Sequence, residues 1–252
     1  MTQARYRLVA LHGFLGAASD WDTFRALCPE GRWETLDLWH VFDTRVTDWR
    51  SLGEALSAQL RSAIGNDPLP AFLVGYSLGA RLALALPWLG DPGAPFAGAC
   101  LVSCHPGLPE EDERARTERV AADEAWARTF VDAPVARIWK EWDAQPVFAS
   151  SGSRRREPAL PAPRVTLARA MRVASLGRQP DRRLSLRAWK TPLLWVTGER
   201  DAKFRAVAAS LASESVPARF VTLEHAGHRA PWDNPAAFAR VLSGWVEETL
   251  AK

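Results

Sequence analysis

Short apolar or β-branched runs recur along the chain, at Arg7–Leu11, Glu34–Leu38, Ala71–Gly75, Ala99–Ser103, Leu193–Thr197 and Arg219–Leu223. Most are separated by helix-length patterns such as Trp49–Ile64, Leu78–Leu89, Phe204–Ser213 and Pro235–Leu250. Alternation of strands with helices predicts an α/β fold: a mostly parallel sheet of about six strands, flanked on both faces by helices. The rhythm breaks between Pro106 and Lys190. There helical patterns follow one another, one of them around Glu113–Phe130, with a loop rich in proline, serine and arginine at Ser150–Pro163. A core formed by residues 1–105 and 190–252 is therefore expected, with residues 106–189 inserted as a helical cap over one end of the sheet. No internal repeat is visible.

Composition narrows the class. With 252 residues, 47% of them hydrophobic and 24% charged, the chain has enough apolar material for a full core. No apolar run approaches the roughly 20 residues of a membrane span, and the stretch MTQARYRLVALHG lacks the pattern of a signal peptide. Cys28, Cys100 and Cys104 form an odd set without zinc spacing, which points to a reducing, cytoplasmic setting. The net charge of +3 does not suggest a nucleic-acid partner, and oligomeric state is left open. The arginines are unevenly placed: 15 of the 28 lie between His105 and Lys190, including the run Arg154, Arg155, Arg156. Interleaved glutamates make solvated helix faces one explanation, and a pocket for an anionic ligand is the other.

The richest local signal is Gly75-Tyr76-Ser77-Leu78-Gly79, a G-x-S-x-G pattern between a predicted strand and a predicted helix. Such a turn holds a serine in a strained conformation at the carboxyl edge of a sheet, with a helix N-terminus behind it. A general base and an orienting acid must then come from other loops on the same edge. Asp201 follows one strand in GERDAKF and His228 follows the last strand in HAGHRAP, giving the order serine, aspartate, histidine. His225 competes with His228 but lies closer to its strand. The His225/His228 pair has no third ligand for zinc, and neither a metal nor a cofactor is called for. LVALHGFLG predicts an early strand whose following loop adds a second oxyanion donor, so the backbone N–H groups of Phe14 and Leu78 are the candidates. His12 is expected to be a structural hydrogen-bonding residue.

With these residues in place the chain resembles the α/β-hydrolase superfamily. Within it, the chain is similar to the 2-succinyl-6-hydroxy-2,4-cyclohexadiene-1-carboxylate synthase family of menaquinone biosynthesis. The narrower resemblance rests on LHGFLG at 11–16, VGYSLGAR at 74–81, HPGL at 105–108, DEAWA at 123–127 and W-x-x-QPVFAS at 142–150. It continues through SLGRQPD at 175–181, GERDAKF at 198–204 and AGH at 226–228. The resemblance implies a lyase in which the serine acts as a base and pyruvate leaves a cyclohexene carrying several carboxylates. A hydrolase of a small carboxylate-bearing ester or C–C bond, with Ser77 as covalent nucleophile, is the alternative; a non-catalytic binding protein on this fold does not suit an intact triad. Arg81, one turn past Ser77 at the helix start, can face the pocket and meet a substrate carboxylate. The family pattern marks Arg116 and Arg119 with arginine for the same task and Tyr76 and Trp142 as pocket-lining residues. Arg164, in LPAPRVTLARAM where the match slips, stands for a further cap arginine. Arginine suits the task because its guanidinium pairs with carboxylates through two parallel donors. The chain departs from the family pattern at DLWHVFDTRVTDW, residues 37–49, a loop that borders the site in the superfamily.

Overall fold

The computed structural model describes residues 4–152 and 159–252, so the Arg154–Arg156 run lies outside the described residues. Its centre is a six-stranded sheet of β1 (Tyr6–Leu11), β2 (Gly31–Leu36), β3 (Ala71–Tyr76), β4 (Gly98–Val102), β5 (Leu193–Gly198) and β6 (Arg219–Leu223). The strands run in the order β2-β1-β3-β4-β5-β6, and each neighbouring pair is parallel. β1, β3, β4 and β5 are buried along their whole length, which is why they read as continuous apolar runs. Edge strand β2 carries Arg32, Glu34 and Thr35; it starts earlier than its apolar pattern suggests because Gly31 pairs with Tyr6.

The helices are α1 (Asp22–Leu27), α2 (Trp49–Ile64), α3 (Leu78–Ala83), α4 (Glu113–Asp132), α5 (Val135–Asp143), α6 (Arg164–Val173), α7 (Arg183–Arg187), α8 (Ala202–Ser213), α9 (Ala230–Asp233) and α10 (Pro235–Leu250). Helix α2 matches its predicted span. The Asp48 side chain accepts the Ser51 N–H at its start, and Leu52, Leu56 and Leu60 recur one turn apart on its buried face. Helix α3 is shorter than predicted. Leu84, Ala85 and Leu86 donate to carbonyls three residues back, a tightening that leads into Pro87, which cannot extend a helix.

Two apolar layers cover the sheet. One holds α2, α3 and the four helices between β4 and β5; the other holds Trp21, Phe24, Trp33 and the buried face of α10. Helices α4 to α7 all come from the interval that broke the strand–helix rhythm, and α4 packs extensively on α6. Among the described residues no helix is long and apolar enough to cross a membrane.

Candidate active site

The serine sits where the strand's hydrogen-bonding ends. Ser77 follows β3 with φ +50° and ψ −107°, a conformation that costs a non-glycine residue of order 1–3 kcal/mol and persists only when its surroundings enforce it. They do: the Ser77 N–H donates to the Val102 carbonyl of β4 at 2.9 Å, and the Ser77 carbonyl accepts from Arg81 N–H at 3.0 Å. Gly79 makes the turn sterically feasible, since a Cβ there would lie 2.5 Å from the Leu11 carbonyl oxygen.

His228 and Asp201 reach Ser77 from the loops after β6 and β5. His228 Nε2 lies 3.1 Å from Ser77 Oγ, and its Nδ1 lies 2.8 Å from Asp201 Oδ2. An ionised Asp201 fixes the proton on Nδ1, which leaves Nε2 as the acceptor for the serine proton. The histidine and the aspartate are only 3% and 5% exposed, so the pair acts in a medium that strengthens its charges. The His228 ring packs on Phe204 and Phe148, and Ser103 Oγ donates to the His228 carbonyl at 2.9 Å. The two loops touch through glycines: a Cβ on Gly198 would lie 2.1 Å from the Gly227 carbonyl oxygen. His225 is turned away, with its side chain 74% exposed beside Glu199.

Leu78 is the first residue of α3, so its N–H has no acceptor within the helix. Phe14 lines the same cavity as Leu78 and Ser77. The Phe14 loop is held from both sides. His12 Nδ1 donates to the Gly13 carbonyl at 2.8 Å, and His12 Nε2 accepts the Leu38 N–H at 3.0 Å. Trp39 Nε1 donates to the Gly16 carbonyl. The unusual 37–49 loop thus braces the Phe14 loop, and none of its residues lines the cavity.

Above Ser77 lies a cavity of about 680 Å³, walled by the sheet edge on one side and by the segment between β4 and β5 on the other. It is lined by Phe14, Ser77, Leu78, Arg81, Arg119, Trp142, Asp201 and His228 of the sequence candidates. Three candidates lie elsewhere. Arg116 donates to the carbonyls of Leu108 and Gln179. Arg164 donates to the carbonyls of Phe130 and Ala133, closing the C-terminal end of α4 as a cation there should. Tyr76 is buried beneath the site, its ring edge-to-face with Trp232.

The cavity also holds residues that sequence reasoning missed as individuals: His105, Asp123, Arg200 and Lys203. His105 and Lys203 stand inside the HPGL and GERDAKF motifs, and Lys203 comes two residues after Asp201 in the first turn of α8, a spacing that places it at the same rim. Burial, then the neighbouring Arg119, lowers the pKa of Arg81 to about 9. Lys203 is lowered by the same two causes in the same order. Burial and then Arg81, Lys203, Arg183 and Arg119 hold the His105 imidazole down to about 3, so it is neutral. Arg119 donates to Asp123 Oδ2 at 2.8 Å. Among the described residues neither Arg81 nor Lys203 has a carboxylate within ion-pairing distance. Cations that repel one another in a half-dry cleft favour an anionic occupant. Among the described residues no group of His, Cys, Asp and Glu is arranged to hold a metal ion.

The family model described as alpha/beta hydrolase family matches residues 8–241. A protein of Klebsiella pneumoniae (strain 342) named 2-succinyl-6-hydroxy-2,4-cyclohexadiene-1-carboxylate synthase is 38% identical over 244 residues, covering 94% of this chain and 92% of its own. The protein of the same name from Citrobacter koseri is also 38% identical, with the same coverage. The structure of MenH from S. aureus superposes with a TM-score of 0.83 at 22% identity, covering 99% of this chain and 96% of that one. A malate-bound thermophilic esterase from Thermogutta terrifontis gives 0.71 at 22% identity, covering 98% and 92%. With a strained serine after β3, an aspartate and a histidine on the loops after β5 and β6, and a family match across nearly its whole length, the chain belongs to the alpha/beta hydrolase family.

Proposed function

We propose that this protein is a carbon–oxygen lyase that eliminates pyruvate from a succinyl-cyclohexene polycarboxylate in menaquinone biosynthesis, the role its 2-succinyl-6-hydroxy-2,4-cyclohexadiene-1-carboxylate synthase relatives suggest. The observation that carries this reading is the union of a Ser77–His228–Asp201 chain with a cavity lined by Arg81, Arg119 and Lys203. His228 Nε2 accepts the Ser77 proton, and the serine oxygen takes a proton from a ring carbon of the substrate. That electron pair moves into the ring as a new double bond, and the C–O bond to the three-carbon unit breaks. The leaving unit departs as an enolate, takes back the proton and becomes pyruvate. Negative charge that builds on a substrate oxygen meets the N–H groups of Phe14 and Leu78, with no reorganisation needed at that moment.

In this reading residues 106–189 act as the cap. Arg81 and Arg119 hold substrate carboxylates, and Trp142 with Phe148 forms an apolar wall around the ring. A biosynthetic role fits a cytoplasmic protein, and its three cysteines are free and buried. The test is rapid quench with intact-mass detection on the pathway substrate and on simple aryl esters. The lyase releases pyruvate in step with product and accumulates no adduct. Efficient ester turnover through a trapped Ser77 adduct, without pyruvate release, would replace it with the hydrolase reading.

A further inference from the structure

The surroundings of Arg81 decide how much of its charge reaches the cavity. Two oxygens hold the guanidinium, and both are neutral. Nε donates to Gln179 Oε1 and Nη2 donates to the Ala174 carbonyl, each at 2.7 Å. Gln179 is fully buried. Its Nε2 donates to the His105 carbonyl at 3.1 Å, which fixes the amide: nitrogen toward a carbonyl, oxygen toward the cation. Its backbone is pinned as well, since Arg116 Nη1 donates to the Gln179 carbonyl at 3.1 Å and the Gln179 N–H donates to Ser175 O at 3.1 Å. The nearby Asp123 is taken up by Arg119. A buried arginine is ordinarily met by a carboxylate, and here an amide of the same shape takes that place.

We propose that Gln179 is a positioning residue that aims Arg81 through an uncharged acceptor, so that the guanidinium charge stays uncompensated until a carboxylate of the ligand arrives. The proposal rests on the reading of this cavity as a site for a polyanion. A carboxylate at position 179 would hold Arg81 in the same geometry while cancelling the charge the ligand is meant to meet. An apolar side chain would leave the charge and lose the aim. Burial, then Arg119, lowers the pKa of Arg81, and Asp123 offsets this only in part, in keeping with a guanidinium whose own hydrogen-bond acceptors are neutral.

The test compares Gln179→Glu with Gln179→Met, using succinate as a dicarboxylate probe in calorimetry and, in parallel, KM and kcat on the pathway substrate. Both variants lose the donation to His105; Gln179→Glu keeps an acceptor for Arg81 and adds a charge, whereas Gln179→Met removes the acceptor and adds no charge. Gln179→Glu is expected to weaken succinate binding and raise KM by about 10- to 150-fold, the range for one charge-assisted hydrogen bond. Gln179→Met should raise KM by only about threefold, with less change in kcat, as loss of aim alone predicts. Equal effects in the two variants, or a Gln179→Met that lowers Tm while KM stays put, would reduce Gln179 to a packing residue. The second of these decides the matter even where Gln179→Glu does not fold. Wild-type protein that releases pyruvate yet leaves succinate unbound overturns the open charge alone. Wild-type protein that binds succinate tightly but releases no pyruvate overturns the lyase reading, and the succinate affinities of the two variants then uphold or overturn the role of Gln179.

Discussion

The two walls of the cavity are built on different principles. On the sheet-edge side the backbone places the chemistry. Ser77 is locked between Val102 and Arg81 by main-chain hydrogen bonds, and Asp201 and His228 follow the ends of parallel strands whose register is continuous across the sheet. On the helical side the side chains place themselves. Arg116 and Arg119 are three residues apart on α4, yet the first is spent on the carbonyls of Leu108 and Gln179 and the second faces the cavity beside Asp123. The contrast teaches that a residue fixed by the sheet can be assigned a place from its position along the chain. A residue fixed by helix packing gets its place from which neighbours happen to lack a partner.

The contrast can be broken most sharply at the sheet edge. Ser77→Ala or His228→Ala should lower turnover by at least about 10³-fold, because the three groups act as a unit. His225→Ala, out on the surface, should change it by less than about twofold. A dead His225→Ala beside an active His228→Ala would reverse the assignment. On the helical side effects should be smaller and graded. Arg81→Ala should cost about 1.5–3 kcal/mol, roughly 10- to 150-fold in kcat/KM, since a charged donor to the substrate is lost. Arg119→Ala should act in the same direction, and steady-state kinetics on the pathway substrate measures both. Arg164→Ala should separate the helical wall's scaffold from its binding face. Losing the donor to the end of α4 is expected to lower stability by about 1–3 kcal/mol, read in chemical denaturation, with KM near wild type.

A pH dependence tests the wall around His105. The folded protein keeps His105 neutral down to a pKa of about 3, whereas an unfolded histidine takes a proton near pH 6.5. Below pH 6.5 the unfolded state therefore binds a proton that the folded state refuses. This histidine's contribution is fully present above that pH and is lost as pH falls toward 3, with a slope of about 1.4 kcal/mol per pH unit. His105→Asn keeps an acceptor for the Gly107 N–H and should flatten that slope between pH 6 and 4. An unchanged slope would place the proton uptake elsewhere.

The same division explains what could be read from the sequence. β6, α2 and α10 have the spans their patterns predict, and the other predicted strands lie within a few residues of theirs. These elements are set by local periodicity, caps and burial. Ser77, Asp201 and His228 were legible because each stands at the carboxyl end of a readable strand. Arg116 and Arg164 were expected at the pocket but are spent on backbone carbonyls, and Tyr76 lies beneath the pocket against the His228 and Trp232 rings rather than lining it. Their direction depends on which carbonyls and rings the finished fold leaves nearby, and no local pattern encodes that. His105 and Lys203 were overlooked for the converse reason: nothing in a single histidine or lysine says that the rest of the chain will fold around it.

The contact between Gly198 and Gly227 has a consequence for descent. The loops bearing Asp201 and His228 meet backbone to backbone, with no room for a Cβ on Gly198 beside the Gly227 and Ala226 carbonyls. No inherited side chain can be added there without pushing Asp201 and His228 apart. A lineage that carries this junction has little freedom to change the spacing of Asp201 and His228 by small steps. Innovation in what the enzyme accepts would be written into the cavity-facing side of α4 and α6, where Arg119, Ala170 and Met171 shape the cavity away from the Asp201 and His228 loops.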